Sequence, residues 1–170
     1  MLVKRARDLV TSNAYAASAK EEFAAAIAGI RLSSTLEDPA IRGPLLELWK
    51  DWVEECDADG QCDFAGLQDV VAGSLFDAGE CFVRLRPRLP QDGLSVPLQL
   101  QILEAEMLDW SYNVALPNGN LIKAGIEFDQ IGARVAYHFW KTHPGNNLGM
   151  LQSFTGERSR VPAESVLHIY

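Results

Sequence analysis

The stretch ECFVRLRPR (80–88) decides how this chain is read, because the hydrophobic period changes there. Up to Gly79 apolar residues recur at helical spacing; from Glu80 onward they alternate. Cys81, Val83 and Leu85 fall on one face of an extended segment, with Phe82, Arg84 and Arg86 on the other. If the strand continues, Arg84, Arg86 and Arg88 line one face at period two, a small basic ridge. Such a ridge suits contact with a neighbouring subunit's carboxylates or with phosphate; an ordinary solvated face is the plainer reading.

Upstream, the spacing predicts helices. An alanine-rich helix runs from about Val3 to Ile30, with Leu9, Ala16, Ala19, Phe23, Ala26, Ile27 and Ile30 on one face whose small residues would let another element approach closely. Lys4, Arg5 and Arg7 crowd its first turns, where the macrodipole favours acids. They meet an acidic partner, or the true helix starts further upstream. LSSTLEDPAIRG (32–43) reads as a loop, and Pro44 suits the first position of a second helix bearing Leu45, Leu48, Trp49, Trp52, Val53 and Cys56 on one stripe. A third helix, roughly Phe64 to Ala78, uses Phe64, Leu67, Val71 and Leu75 and stops at Gly79.

Downstream, VPLQLQIL (96–103) alternates leucine and glutamine, as a half-buried strand does. Within DWSYNVALPNGNLIKAGIEF (109–128), Asn118-Gly119 is a strong hairpin signal. DQIG (129–132) turns the chain into ARVAYHFWK (133–141), giving a three-strand antiparallel meander. The polar loop HPGNNLG (143–149) leads on to a final strand in RVPAESVLHIY (160–170). The expected fold class is therefore α+β, with N-terminal helices (3–78) followed by a mainly antiparallel, strand-rich half (80–170). At 170 residues the chain has the length of one domain. All four tryptophans read as core.

Composition narrows the function. Apolar residues make up 48% of the chain, and no run approaches the length needed to span a bilayer; the first residues do not read as a signal peptide. Three cysteines without framework spacing fit free thiols in a reducing compartment. A net charge of −8 should repel nucleic acid, so any DNA contact would have to be local or made by another part of a larger assembly.

The acidic turn EECDADGQCDFAG (54–66) raises the question of a metal. With Gly60 at position 6 of a calcium loop, Glu55, Asp57, Asp59 and Asp63 fall at positions 1, 3, 5 and 9. Position 12 is then Gly66, which has no carboxylate to close the coordination sphere. Cys56 and Cys62 match no common zinc spacing. The turn is expected to be architecture: Asp57 and Asp59 supply turn chemistry, Gly60 positive φ, and Asp63 a helix cap.

Catalytic signals are weak. There is no phosphate-cradling glycine loop, metalloprotease motif or nucleophile elbow, and neither a catalytic residue nor a cofactor is expected. His138 and His168 sit in alternating strands as structural histidines do; the carboxylates of EAE (104–106) read as exposed acids.

Four segments together, in order, resemble the N-terminal part of lambda-type phage portal proteins: RARDLVTSNAYAASA (5–19); LWKDWVEECDADGQCDFAGLQ (48–68); GECFVRLRPR (79–88) with PLQLQILEAEMLD (97–109); and NGNLIKAGIEFDQIGARVAYHFWKTHPG (118–145) running on to RVPAESVLHIY. The resemblance implies a subunit of a twelve-fold ring at one capsid vertex. Such rings admit double-stranded DNA during packaging, dock the terminase, and join capsid to tail-connector proteins. It implies a structural role in the virion, assembled in the bacterial host cytoplasm, with no enzyme activity and no membrane partner. It also implies that the chain corresponds to the wing around the channel, with the channel-building helices elsewhere. The competing readings are a small helix-turn-helix module that coordinates calcium or docks a partner protein, and a hydrolase pairing His138 with a carboxylate of 104–106.

Overall fold

Asn13 divides the first expected helix in two. In the computed structural model, which describes residues 2–29, 33–145 and 154–170, α1 spans Leu2–Ser12 and α2 spans Ala14–Ile27. The Asn13 side chain accepts hydrogen bonds from Tyr15 N (2.9 Å) and Ala16 N (3.3 Å), so it starts a new helix where the alanine-rich pattern suggested continuity. The break also turns the face. Ala16, Ala17, Lys20 and Ala24 are half-buried, whereas Ala19 and Ala26 are exposed. Ile30, Leu32 and 146–149 of the polar loop lie outside the described residues.

The second expected helix starts earlier than Pro44. Helix α3 is Pro39–Glu55, with Asp38 accepting from Ala40 N at 2.9 Å and Pro39 at the first position. Pro39 uses the same fixed φ and missing donor that suggested Pro44 as a start; Pro44 lies inside the helix. Helix α4, Phe64–Ala78, has the expected bounds. Asp63 accepts from Gly66 N, and Gly79 closes the helix at φ 79° with its N–H on Leu75 O.

The fold is α+β: four helices precede antiparallel sheets of three and five strands. The strands are β1 Cys81–Pro87, β2 Leu98–Glu104, β3 Val114–Ala115, β4 Leu121–Lys123, β5 Ile126–Phe128, β6 Arg134–Trp140, β7 Arg158–Pro162 and β8 Val166–Ile169. One sheet has the order β2-β1-β8; the other is a meander, β3-β4-β5-β6-β7. The meander has more strands than expected because 121–128 turns back at Ala124 (φ 48°) and Gly125 (φ 77°). A Cβ at Gly125 would lie 2.7 Å from Asp109 O, so glycine is required there by both conformation and space. The final segment is likewise two strands, separated by a single 3-10 turn at Ala163–Ser165.

The chain groups into two compact units, residues 1–102 with 169–170, and residues 103–168. In the first unit Trp52, Cys56 and Leu67 form a buried cluster, with Trp49, Cys62, Phe64, Val96, Leu100 and Ile102 packed against it. The Trp52 indole N–H donates to Leu98 O at 2.6 Å, which satisfies its one polar atom. In the second unit Ile122, Ala136, Phe139 and Val161 are buried. Trp110 corrects the reading of all tryptophans as core: it is 75% exposed, standing beside the buried Asp109 in a turn and not in an alternating strand.

Candidate functional site

Strand β1 carries the basic ridge, and β2 supplies its partners. Arg86 Nη1 donates to Gln101 Oε1 at 3.1 Å, and Arg88 Nε donates to Gln99 Oε1 at 2.8 Å. The leucine–glutamine alternation of β2 thus aligns the amide oxygens of Gln99 and Gln101 with the arginines on one face, while the half-buried Leu98, Leu100 and Ile102 take the other. Arg84, two residues back, makes no hydrogen bond or ion pair among the described residues. Its guanidinium is half-buried, and burial first, then the neighbouring Arg86, hold its pKa below the ordinary arginine range.

The structure joins the ridge to the acidic turn. Gln99 Nε2 donates to Glu55 O (2.7 Å) and Asp57 O (2.9 Å) while its Oε1 receives Arg88. Leu100 N donates to Cys56 O, and Ala58 N to Leu100 O, so the turn runs beside β2 like a short extra strand. At its centre Asp57 is 5% exposed. Its Oδ1 accepts from Asp59 N (3.0 Å), and its Oδ2 from Gln61 N (2.8 Å) and Cys62 N (3.0 Å). Burial alone would push this carboxyl up; the three backbone donors outweigh it and hold the pKa below the usual aspartate range. Both oxygens are occupied by the loop's own amides, so the residue at calcium position 3 is a structural hub. Gly60 has φ 64°, as the turn reading requires.

The second unit buries two carboxylates. Glu127, on β5, is 1% exposed and accepts from Arg160 Nε (2.7 Å) and Nη2 (3.2 Å), from Asn120 Nδ2 (2.7 Å), and meets His138 Nε2 at 3.2 Å. The Arg160 hydrogen bond outweighs burial and, with Asn120 and His138, brings its pKa down to about 2. Asp109 pairs with Arg158 and receives Ser111 N and Oγ. The Arg158 guanidinium lies 4.4 Å from the Tyr112 ring centre and 4.8 Å from that of Trp140. His138 therefore faces Glu127 and not a carboxylate of 104–106, because β5 and β6 are neighbours in the meander.

Glu104, Glu106 and His143 bring potential ligand atoms within 4.8 Å of one another. The histidine is set up as a donor there. Gly145 N donates to His143 Nδ1 at 3.0 Å, which places the proton of the neutral ring on Nε2, 3.3 Å from Glu104 Oε2. An Nε2–H cannot ligate a metal unless the ring gives up that proton or the Gly145 bond breaks.

A family model described as "Phage portal protein, lambda family" matches residues 1–170. The chain belongs to this family. It is also 29% identical over 131 residues to a curated "Probable portal protein" of Halomonas phage phiHAP-1. The match covers 76% of this chain and 24% of that relative, so the portal-family chain spans about a quarter of the length of the curated protein it matches.

Of the residues singled out from the sequence of this portal-family chain, Arg86 and Arg88 bond to glutamines on the neighbouring strand, and Arg84 bonds to none of the described residues. Sequence reasoning missed Glu127, Asp109, Arg158 and Arg160. A signal was present for one pair: a lone acid between apolar neighbours in IEF (126–128), and arginines at period two in RSRV (158–161). Only the register of β5, β6 and β7 brings them together.

Proposed function

We propose that this chain is the peripheral, wing-like part of a phage portal subunit, whose ring admits DNA during packaging and releases it on ejection. The observation that carries the reading is the match of the lambda portal family model to all 170 residues. The protein then acts as a structural component of the virion, assembled in the host cytoplasm, and not as an enzyme. Its partners are other portal subunits, the terminase, capsid and tail-connector proteins, and the double-stranded DNA in the channel. Two features of the fold are compatible with this role. The buried acids of the sheet unit are each bound by arginine, an arrangement that holds strands together and leaves no free base for catalysis at those carboxylates. Among the described residues no helix is long and apolar enough to cross a membrane.

The test uses the complete gene product. Purified at micromolar concentration and imaged by electron microscopy, it should form closed rings with a central channel. A protein that stays monomeric, with an unchanged mass across a hundredfold concentration range, would overturn the portal reading.

A further inference from the structure

The ridge has an unsatisfied end. Arg86 and Arg88 bond to neutral glutamines, and Arg84 bonds to no described residue, so three guanidinium charges stand on one face of β1 and the residue that follows it, none of them paired with a carboxylate among the described residues. The same unit displays the complement elsewhere. Glu47, Asp51 and Glu54 occupy positions i, i+4 and i+7 of α3, and all three are exposed. Glu47 pairs with Lys50 at 2.7 Å, while Asp51 and Glu54 make no side-chain bond among the described residues.

We infer that the Arg84–Arg86–Arg88 ridge of one subunit receives the Glu47–Asp51–Glu54 stripe of α3 from a second copy of this chain. The inference rests on the portal reading, since it names the partner of a ring contact. Lengths agree. Seven residues of helix cover about 10.5 Å, and four residues of strand about 13 Å, a difference that arginine side chains span readily. The two surfaces are different patches on one chain, as a head-to-tail contact that closes a ring requires. A carboxylate is the occupant the chain itself supplies: Asp51 and Glu54 are exposed and make no side-chain bond among the described residues, and the guanidinium fork of a half-buried arginine takes a carboxylate in bidentate fashion.

Charge exchange in the complete gene product tests the contact. Arg84→Glu alone, and Asp51→Lys with Glu54→Lys, should each weaken subunit association about tenfold or more at roughly 0.1 M salt, read by analytical ultracentrifugation. Combining all three substitutions should restore association to within about threefold of the native protein. Arg84→Gln, which introduces no repulsion, should show a smaller loss in the same direction. Normal assembly of the Arg84→Glu and Arg84→Gln proteins overturns the inference, as does a combined variant no better than its parents. If Arg84→Glu rings form normally but bind duplex DNA less tightly in a filter assay, the ridge is a phosphate contact and the carboxylate proposal is wrong. Should the native protein form no rings, the portal reading fails, and the variants are then not what decided it.

Discussion

Two strands carry arginines at period two, and the molecule treats them in opposite ways. On β7, in the sheet unit, Arg158 and Arg160 are bound to the buried carboxylates of Asp109 and Glu127. On and just after β1, in the helical unit, Arg86 and Arg88 bond to neutral glutamines and to no carboxylate among the described residues, and Arg84 meets no described acceptor. The β7 charges are neutralised inside the fold. Those of β1 are oriented by it but left uncompensated, and it is such charges that can answer an external anion. The buried acids differ in parallel. Glu127 is held by a counter-charge, whereas Asp57 is held by three backbone amides and by no cation among the described residues.

This contrast is sharpest at Glu127. Replacing it as Glu127→Gln removes the negative charge and turns one of the two oxygens that accept from Arg160 into an amide N–H₂; urea unfolding should show a loss of about 3 kcal/mol. The same group sets the acid limb. Its folded pKa of about 2 lies below the ordinary glutamate value of 4.5, so its stabilisation is full above pH 4.5 and is lost as pH falls through about 2. The shift corresponds to about 3 kcal/mol. Stability of the native chain should thus fall steeply between these pH values, and that of Glu127→Gln should fall less. An unchanged acid limb in the variant would show that Arg160, half exposed to solvent, contributes little to the pair.

Asp57 should give the next largest effect. Asp57→Asn keeps the shape but sets an amide N–H₂ against backbone donors, with an expected cost of about 2 kcal/mol. Because its partners are amides and not a cation, the cost should hardly change between 0.05 and 1 M salt. A strongly salt-dependent loss would mean that a cation shares the site.

The smallest effect belongs to the ridge. Arg86→Gln with Arg88→Gln should change the stability of the chain by about 1 kcal/mol or less, since both groups are only half-buried and each gives up one hydrogen bond to a neutral side chain. A loss of several kcal/mol in thermal unfolding would erase the difference between β1 and β7, making the ridge another internal brace.

Much was legible in local sequence because its causes are local. Helix α4 has its expected bounds since Asp63 caps and Gly79 stops it through atoms within a few residues. The Asn118-Gly119 hairpin and the φ of Gly60 follow for the same reason. Asn13 and Asp38-Pro39 were equally local signals, but the alanine pattern and Pro44 competed with them, and side-chain hydrogen bonds decided the outcome. At the site, periodicity alone put Arg84, Arg86 and Arg88 on one face.

What period cannot supply is the identity of the residue across the sheet. That Arg88 meets Gln99, and Gln99 the acidic turn, depends on β2 lying between β1 and residues 56–58. That Glu127 meets Arg160, 33 residues away, depends on the order of β5, β6 and β7. The sequence by itself determined the α+β class, the bounds of α4, the turns and the arginine spacing, because these are settled by bonds among near neighbours. Tertiary structure alone decided which charges are neutralised and which remain open. A charge's state depends on what packs beside it, and the sheet brings those groups from distant parts of the chain.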